Sequence, residues 1–312
     1  MQVAITGATG FIGSLLLDRH VSMGDKVRVL TRDEKKIGLR GKNVEIFQGG
    51  INTANLEDFV RGVDILYHCA AEISDEGRMW EVNYFGTKRL LNTALGNVKR
   101  WVQLSSVGVY GVQESGVITE KCTESPSGSY EVSKASADRL VNLLNKDDRI
   151  EVVILRPTNV YGPTMRNQSL FQMVSMIDKG LFFYIGEKSF TSHYINVSDV
   201  VEALLLCGLQ VNAAGKTYNL SCDGTIEDLV NAISAGLCKI PPNRKIPLIL
   251  ANTIAHFFSF IRNFPLSKSR VAALTSRVRY SSELITQDLG FRCQTTLLEG
   301  IHELVEEWQK NR

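Results

Sequence analysis

Short apolar runs alternate with longer amphipathic runs through the first half of the chain. The apolar runs have the length of buried strands and lie at residues 3–6, 26–31, 44–48, 65–69, 101–105 and 152–156. Between them, apolar positions recur at helical spacing over residues 14–23, 56–62, 79–95 and 130–145. This alternation predicts an α/β fold with a doubly wound parallel sheet and helices on both of its faces.

The alternation weakens from about residue 162. Later runs predict strands at 189–197 and 217–221 and helices at 200–209 and 226–237. A chain of 312 residues has room for a second domain, so we predict a smaller, mostly C-terminal substrate domain. We assign residues 1–162 and roughly 193–221 to the sheet domain, and 163–192 and 222–312 to the smaller one.

The most apolar stretch, 246–261, contains Pro247, Asn252, Thr253 and His256. It is too short and too interrupted to span a bilayer. A buried core helix is the favoured interpretation, and a helix on a membrane surface stays open.

Composition removes several classes of protein. There are 35 Lys and Arg residues against 33 Asp and Glu, which gives no indication of nucleic-acid binding. The six cysteines form no C-x-x-C pair, and we expect them to be reduced thiols in a cytoplasmic protein. Because an apolar run of strand length begins at residue 2 or 3, we expect no signal peptide. The five histidines lack metal spacing, so no metal site is predicted.

Glycines at 7, 10 and 13 join the first predicted strand to the first predicted helix. Glycine permits a tight turn there and lets phosphates approach the backbone, while the helix N-terminus offers free N–H groups. Three glycines at this spacing occur by chance in about one chain of this length in ten. Their location between a predicted strand and a predicted helix therefore carries much of the evidence for a dinucleotide site. We predict a dinucleotide site at this turn, formed by Gly7, Thr9, Gly10, Phe11 and Ile12.

The end of the second strand bears on which dinucleotide binds. Dinucleotide folds usually place an acidic residue there for the ribose hydroxyls, whereas this chain has Thr31 followed by Arg32. Arg32 offers a cation to a 2′-phosphate, and Lys35 and Lys36 could add to it. NADP is therefore favoured, and Asp33 keeps NAD open.

Tyr130 and Lys134 lie four residues apart, on one face of a predicted helix. A phenol with a pKa of about 10 is a poor base, and we expect Lys134 and a nicotinamide cation to lower that pKa. The same spacing recurs at Tyr84/Lys88 and Tyr184/Lys188. Only the first pair follows Ser105-Ser106, where a strand ends at the ligand-binding edge of an open sheet. There the Ser106 hydroxyl could hydrogen-bond a substrate oxygen.

Together these segments resemble the NAD-dependent epimerase/dehydratase family of extended short-chain dehydrogenases/reductases. The matching motifs are Thr6-Gly7-x-x-Gly10-x-x-Gly13, His68-Cys69-Ala70-Ala71, Val82-Asn83-x-x-Gly86-Thr87, Ser105-Ser106, Tyr110-Gly111, Tyr130-x-x-x-Lys134, Arg156-Pro157-Thr158-Asn159, Tyr161-Gly162-Pro163, residues 194–199 and Leu289-Gly290-Phe291. The resemblance implies a Rossmann domain with a smaller substrate domain.

The resemblance also implies roles for single residues. Tyr130 would be the acid/base, Lys134 would lower its pKa and bind the nicotinamide ribose, and Ser106 would hold the reacting oxygen. Further positions would contact the cofactor (Ala70, Ala71, Asn83, Pro157) or the substrate (Ser105, Ser106, Asn159). A homodimer would form through the helices predicted at 79–95 and 130–145.

The chain departs from the family pattern at three places. Gly50 stands where an aspartate commonly contacts adenine. Val107-Gly108 replace the Asp-Glu pair that dehydratases need, so dehydration is not expected. Ser192 stands where sugar-nucleotide epimerases often have a diphosphate-binding arginine, although Asn159 matches a diphosphate contact.

Three hypotheses follow for function. The leading one is an NAD(P)-dependent enzyme that moves hydride at a secondary alcohol or ketone, with a sugar nucleotide favoured for 4-epimerisation or keto reduction. The second is the same hydride transfer on an apolar substrate, because the C-terminal third is similar to the 3β-hydroxysteroid dehydrogenase-like branch. Reduction of a flavonoid-type substrate is a further option under this hypothesis. The third is a non-catalytic dinucleotide-binding protein, which would need no acid/base.

Overall fold

A seven-stranded parallel sheet forms the centre of the molecule. The structure is a computed structural model and describes residues 1–38, 41–113, 115–165, 168–187, 190–257 and 268–312. In spatial order the strands are Thr217–Leu220, Glu151–Pro157, Val98–Leu104, Val63–His68, Gln2–Thr6, Lys26–Thr31 and Val44–Gln48. Chain order reverses direction at Gln2–Thr6, so the predicted doubly wound sheet is confirmed.

Helices cover both faces of this sheet. They are Phe11–Ser22, Leu56–Val60, Glu76–Met79, Thr87–Ala94, Ser129–Asn142, Val197–Leu209 and Glu283–Leu289. Alternate residues of the first strand belong to different cores because successive side chains of a strand point to opposite faces. Val3 packs in the core that contains Leu16, whereas Ala4 packs in the core that contains Phe59.

A third core lies among three helices, Ser169–Asp178, Ile226–Gly236 and Leu297–Lys310. Short strands pair beside it and beside the sheet edge: Asn159–Tyr161 with Tyr194–Asn196, Thr191–Ser192 with Gly224–Thr225, Tyr184–Ile185 with Lys245–Ile246, and Ser115–Ile118 with Arg277–Tyr280. The predicted strand at 189–197 is thus two short strands. The domain boundaries stay a prediction.

The helix predicted at 79–95 is present as one helical run over residues 76–94, but it is not α-helical throughout. The segment Trp80–Gly86 is π-helical and lies between Glu76–Met79 and Thr87–Ala94. Such wide turns inside α-helices occur frequently at functional sites. Here the wide turn carries Asn83.

The apolar stretch 246–261 is not the buried helix that the sequence favoured. A helix covers Leu248–Phe257, and residues 258–261 lie outside the described residues. Ala251 and Ala255 are its buried residues, whereas Ile249 is 82% exposed and Phe257 is 67% exposed. The small alanines, four residues apart, make the contact with the protein together with the half-buried Ile254, while Ile249 and Phe257 stay outside. No described helix has the length and hydropathy to cross a membrane.

The cysteines include one disulfide, so the expectation of six reduced thiols is wrong for Cys222 and Cys293. Their Cα atoms lie 6.3 Å apart, within the range that a disulfide requires, although 71 residues separate them in sequence. The bond joins the segment after strand Thr217–Leu220 to the segment before the last helix. A stable disulfide is uncommon in a reducing compartment. The cytoplasmic location stays a prediction.

Candidate functional site

The glycine turn after the first strand leaves no space for side chains. Gly7 has φ +72, and a Cβ there would lie 2.7 Å from the backbone nitrogen of Ala70. A Cβ on Gly13 would lie 2.3 Å from the Gly7 carbonyl oxygen, so the helix packs directly on the turn. The helix that follows Gly10 has no side-chain cap. Its first N–H groups therefore remain available, which fits a pyrophosphate.

The other predicted turn residues contribute in different ways. Thr9 is half-buried. The Phe11 ring lies 3.2 Å from an ideal Cβ on Gly162 and packs against the third core, while Ile12 packs against the sheet core. Because protein packs against both side chains, their backbone amides are the groups left to bind a ligand.

The adenosine end combines Arg32 with Gly50. The Arg32 side-chain stem lies 3.8 Å from an ideal Cβ on Gly50, the position where the family commonly has an aspartate. The Asp33 carboxylate accepts from the Lys35 amide at 3.2 Å and caps the turn Glu34–Lys36. Asp33 thus has a structural role already, whereas the described part of the chain provides no ion pair to Arg32.

A buried histidine ties the first strand to the strand beside it. His68 Nδ1 lies 2.7 Å from Thr6 Oγ1, and His68 Nε2 lies 2.8 Å from Thr87 Oγ1. The Ala70 amide also donates to Thr6 Oγ1, at 3.2 Å. These bonds hold the segment with Ala70 and Ala71 against the glycine turn. Burial lowers the pKa of His68 to about 3.

His68 gives a prediction for pH-dependent stability. Its pKa is about 6.5 when unfolded, so the unfolded chain binds a proton that the folded chain excludes below that pH. The free energy of unfolding should therefore fall by about 2 kcal/mol between about pH 8 and about pH 5 through this residue. Urea unfolding at both pH values measures the loss. His68→Asn should reduce that difference, and an unchanged difference would contradict this assignment.

Asn83 connects the loop after Ala71 to the helix with Tyr130. Its Oδ1 accepts from the Glu72 amide at 2.7 Å, and its Nδ2 donates to the Glu72 carbonyl and to Ser133 Oγ, both at 3.0 Å. The residue is 2% exposed. These protein partners use the side-chain amide, so Asn83 positions both segments rather than presenting a free group.

The helix Ser129–Asn142 carries Tyr130 and Lys134. Glu131 Oε2 accepts from the Gly128 amide at 3.0 Å and so fixes the first turn of the helix. Tyr130 is half-buried, whereas Lys134 is buried and its Nζ donates to the Leu104 carbonyl at 2.6 Å. This bond places Lys134 under the end of the strand Val98–Leu104.

Ser106 lies directly beyond that strand. Its Oγ accepts from the Gly108 amide at 3.1 Å. An ideal Cβ on Gly108 would lie 3.4 Å from Ser106 Oγ and 3.2 Å from Glu131 Cγ. The Ser106 turn therefore packs on the first turn of the helix that carries Tyr130. The structure brings Ser106, Tyr130 and Lys134 to one edge of the sheet.

The electrostatics of this edge differ from expectation. Burial, with a smaller contribution from the Asp138 carboxylate, raises the pKa of Tyr130 to about 12. Burial lowers the pKa of Lys134, while Asp138 opposes that change. The expected lowering of the Tyr130 pKa by Lys134 is therefore not found in the protein alone, because burial dominates. Tyr130 holds its proton at neutral pH.

Asp138 is the residue that sequence reasoning missed. Its Oδ2 accepts from Ser105 Oγ at 2.7 Å and from Arg156 Nε at 3.0 Å, and all three residues are buried. Ser105 was predicted to bind substrate, but its hydroxyl donates inward to Asp138. Four-residue spacing from Lys134 places Asp138 on the same helix face, a signal that was available in the sequence.

The predicted substrate side lies beyond Pro157, which ends the strand Glu151–Pro157. Asn159 is exposed, and its backbone amide donates to the His193 carbonyl at 3.0 Å. Ser192 is buried, at 3% exposure. It supplies no cation at the position where sugar-nucleotide epimerases often have an arginine. Beside it, His193 Nδ1 lies 3.4 Å from Asp223 Oδ1.

The sheet order, the capless helix at the glycine turn and the Tyr-Lys helix define an extended short-chain dehydrogenase/reductase. A family model described as "NAD dependent epimerase/dehydratase family" matches residues 3–221. The chain belongs to this family.

Individual relatives point to more than one chemistry. A UDP-glucose 4-epimerase from Mycolicibacterium smegmatis is 29% identical over 332 residues, which cover 98% of both chains. The sterol demethylase protein B of Methylococcus capsulatus is 33% identical over 173 residues, about half of either chain at 52%. A UDP-glucuronic acid 4-epimerase from Bacillus cereus, solved with NAD, superposes with a TM-score of 0.79 over 100% of this chain and 99% of its own, at 19% identity. That likeness shows the fold alone.

Proposed function

We propose that this protein is an NAD(P)-dependent enzyme that moves hydride at a secondary alcohol or ketone, with a sugar nucleotide as the favoured substrate. The observation that carries the proposal is the placement of Ser106, Tyr130 and Lys134 at the edge of the sheet on which the glycine turn also lies. The near-full-length similarity to a UDP-glucose 4-epimerase supports 4-epimerisation or keto reduction.

The geometry gives each residue a task. The Ser106 hydroxyl hydrogen-bonds the reacting oxygen of the substrate. Tyr130, with a pKa raised to about 12, is protonated and can donate to a ketone oxygen. In the alcohol direction Tyr130 must first release its own proton and then accept the proton of the alcohol, and positive charge from Lys134 together with a bound nicotinamide would favour that phenolate. A bound nicotinamide dinucleotide would supply the hydride acceptor and donor.

We also propose that the cofactor is NADP rather than NAD. Arg32 borders the space beside Gly50, and Asp33 already caps a turn, so a 2′-phosphate meets a cation and no free carboxylate.

Arg32→Ala tests this preference. Loss of a charge-assisted hydrogen bond should lower the affinity for NADPH by about tenfold to a hundredfold and change the affinity for NADH little. Fluorescence titration of both reduced cofactors measures the two affinities. Lys99→Ala, which alters an exposed lysine paired with Asp64, is the control. Equal losses for both cofactors would show that Arg32 does not bind the 2′-phosphate.

A second candidate substrate is an apolar alcohol or ketone of the sterol or flavonoid type. The match to the sterol demethylase protein favours it, as does the absence of an arginine at Ser192. Dehydration remains disfavoured because Val107-Gly108 offer no carboxylates. A non-catalytic dinucleotide-binding protein is disfavoured because it would need no acid/base.

A substrate panel separates these possibilities. UDP-glucose and UDP-galactose are followed by NMR for interconversion, and keto-sugar nucleotides and steroid ketones by NADPH oxidation. Conversion of a UDP-sugar supports the leading proposal, and turnover of apolar ketones alone supports the second. Dinucleotide binding with no turnover on any substrate would favour the non-catalytic alternative.

We further propose a homodimer formed through the segments 79–95 and 130–145. Large apolar side chains on these segments are exposed: Trp80 at 42%, Phe85 at 56% and Leu143 at 76%. Paired helices would bury them.

A further inference from the structure

The helix Leu248–Phe257 presents an apolar face to solvent. Ile249 is 82% exposed, Leu250 47% and Phe257 67%. At 100° per residue these three lie on one side of the helix together with Thr253 and His256, opposite the buried alanines at 251 and 255. We call this side, formed by Ile249, Leu250, Thr253, His256 and Phe257, the outer face.

The sequence around the outer face has no negative charge. Residues 229–282 contain eight Lys and Arg residues and no Asp or Glu, although the whole chain has 33 acidic residues. Arg244 and Lys245, directly before the helix, are exposed. Among the described residues no ion pair holds either one. Lys239 and Arg277, in contrast, pair with Asp178 and Glu187.

We propose that the outer face docks on the surface of a membrane that contains anionic lipids. An apolar stripe preceded by two cations that have no ion pair among the described residues, with no nearby carboxylate in sequence, fits the acyl–headgroup boundary of such a membrane. Ten residues span about 15 Å of helix, so the helix lies along the surface and does not cross the bilayer. The proposal does not depend on the proposed function, because no residue of the outer face belongs to the site at the sheet edge.

Charge complementarity favours an anionic membrane over a second copy of the chain as the partner of the outer face. A second copy of the chain would add the same cations to the contact and no carboxylate from residues 229–282, so that this sequence would supply no charge to neutralise Arg244 and Lys245. Anionic headgroups would instead neutralise those cations while the acyl region receives Ile249, Leu250 and Phe257.

Vesicle flotation of the full chain tests the proposal. The probes are vesicles of phosphatidylcholine alone and of phosphatidylcholine mixed with phosphatidylglycerol, at low and high salt. We expect binding to the mixed vesicles, weakened by salt and much lower on the neutral ones. Ile249→Glu and Phe257→Glu should each reduce partitioning by about tenfold or more, because each removes a large apolar side chain from the interface. Arg244→Gln and Lys245→Gln should each reduce it by about fivefold.

Val211→Glu is the matched control, because Val211 is 75% exposed and lies away from this helix. It should float like the unaltered chain. Dinucleotide binding and thermal unfolding should be unchanged in every variant, which excludes misfolding. Absence of vesicle binding, or equal binding by Ile249→Glu and the control, would overturn the proposal. So would a dimer that only Ile249→Glu dissociates in light scattering, since that result would assign the outer face to a second copy.

Discussion

Tyr130→Phe is expected to lower kcat by about 10²–10⁴-fold while leaving dinucleotide affinity nearly unchanged. The phenol hydroxyl is the only group removed, and burial keeps it protonated and ready to donate. Steady-state kinetics on whichever substrate the panel identifies gives kcat, and fluorescence titration gives the cofactor affinity.

The chain supplies its own controls for this substitution. Tyr84 and Tyr184 have the same four-residue spacing to a lysine. Tyr84 stacks edge-on against Trp80 and Phe85, and Tyr184 packs edge-on against Phe182 in the third core. Tyr84→Phe and Tyr184→Phe should therefore keep most of the activity. Undiminished turnover in Tyr130→Phe would show that another residue moves the proton.

Asp138→Ala is expected to lower the free energy of unfolding by about 3–5 kcal/mol. The substitution removes the buried carboxylate that lies 3.0 Å from Arg156 Nε, so that Arg156 keeps the half-buried Glu124 as its remaining carboxylate partner, and Ser105 Oγ loses its acceptor. Urea unfolding measures the loss. Asp58→Ala is the control, because the exposed Asp58–Arg61 pair should contribute less than about 1 kcal/mol. Equal effects of the two substitutions would contradict the account of Asp138.

The same residue also affects the pH dependence of the chemistry. The Asp138 carboxylate raises the pKa of Tyr130, so a neutral amide should lower it. The rate of alcohol oxidation should rise with pH as Tyr130 loses its proton. In Asp138→Asn this rise should occur at lower pH, because Tyr130 loses its proton more readily. A purely structural role would change stability and leave this rise in place.

Local patterns predicted the sheet and much of the candidate site. Burial on both faces of the sheet accounts for strand-length apolar runs such as Lys26–Thr31, which has the predicted bounds. The edge strand Val44–Gln48 also has the predicted bounds, although none of its residues is fully buried. The glycine turn was predictable because close packing at Gly7 and Gly13 excludes every other side chain. These features depend on residues that are close in sequence.

What the sequence did not predict depends on contacts between distant segments. Cys222 and Cys293 meet only after the helix Glu283–Leu289 packs beside the strand Thr217–Leu220. Ser105 turns inward because Asp138, on another element, accepts its hydroxyl. The hydropathy of residues 248–257 indicated burial, but only the packed structure shows that Ala251 and Ala255 make the contact and that Ile249 does not. The π-helical turn around Asn83 likewise has no period that a sequence pattern would show.

Equilibrium dialysis against an equal mixture of NAD, NADH, NADP and NADPH tests the central claim most directly. The protein is then denatured, and the released nucleotides are identified by mass. The account predicts about one dinucleotide per chain, with NADP and NADPH in excess. It predicts almost none in Gly13→Val, where the new Cβ would collide with the Gly7 carbonyl oxygen. A folded, unaltered protein that binds none of the four would contradict the assignment of this sheet edge as a dinucleotide-dependent active site.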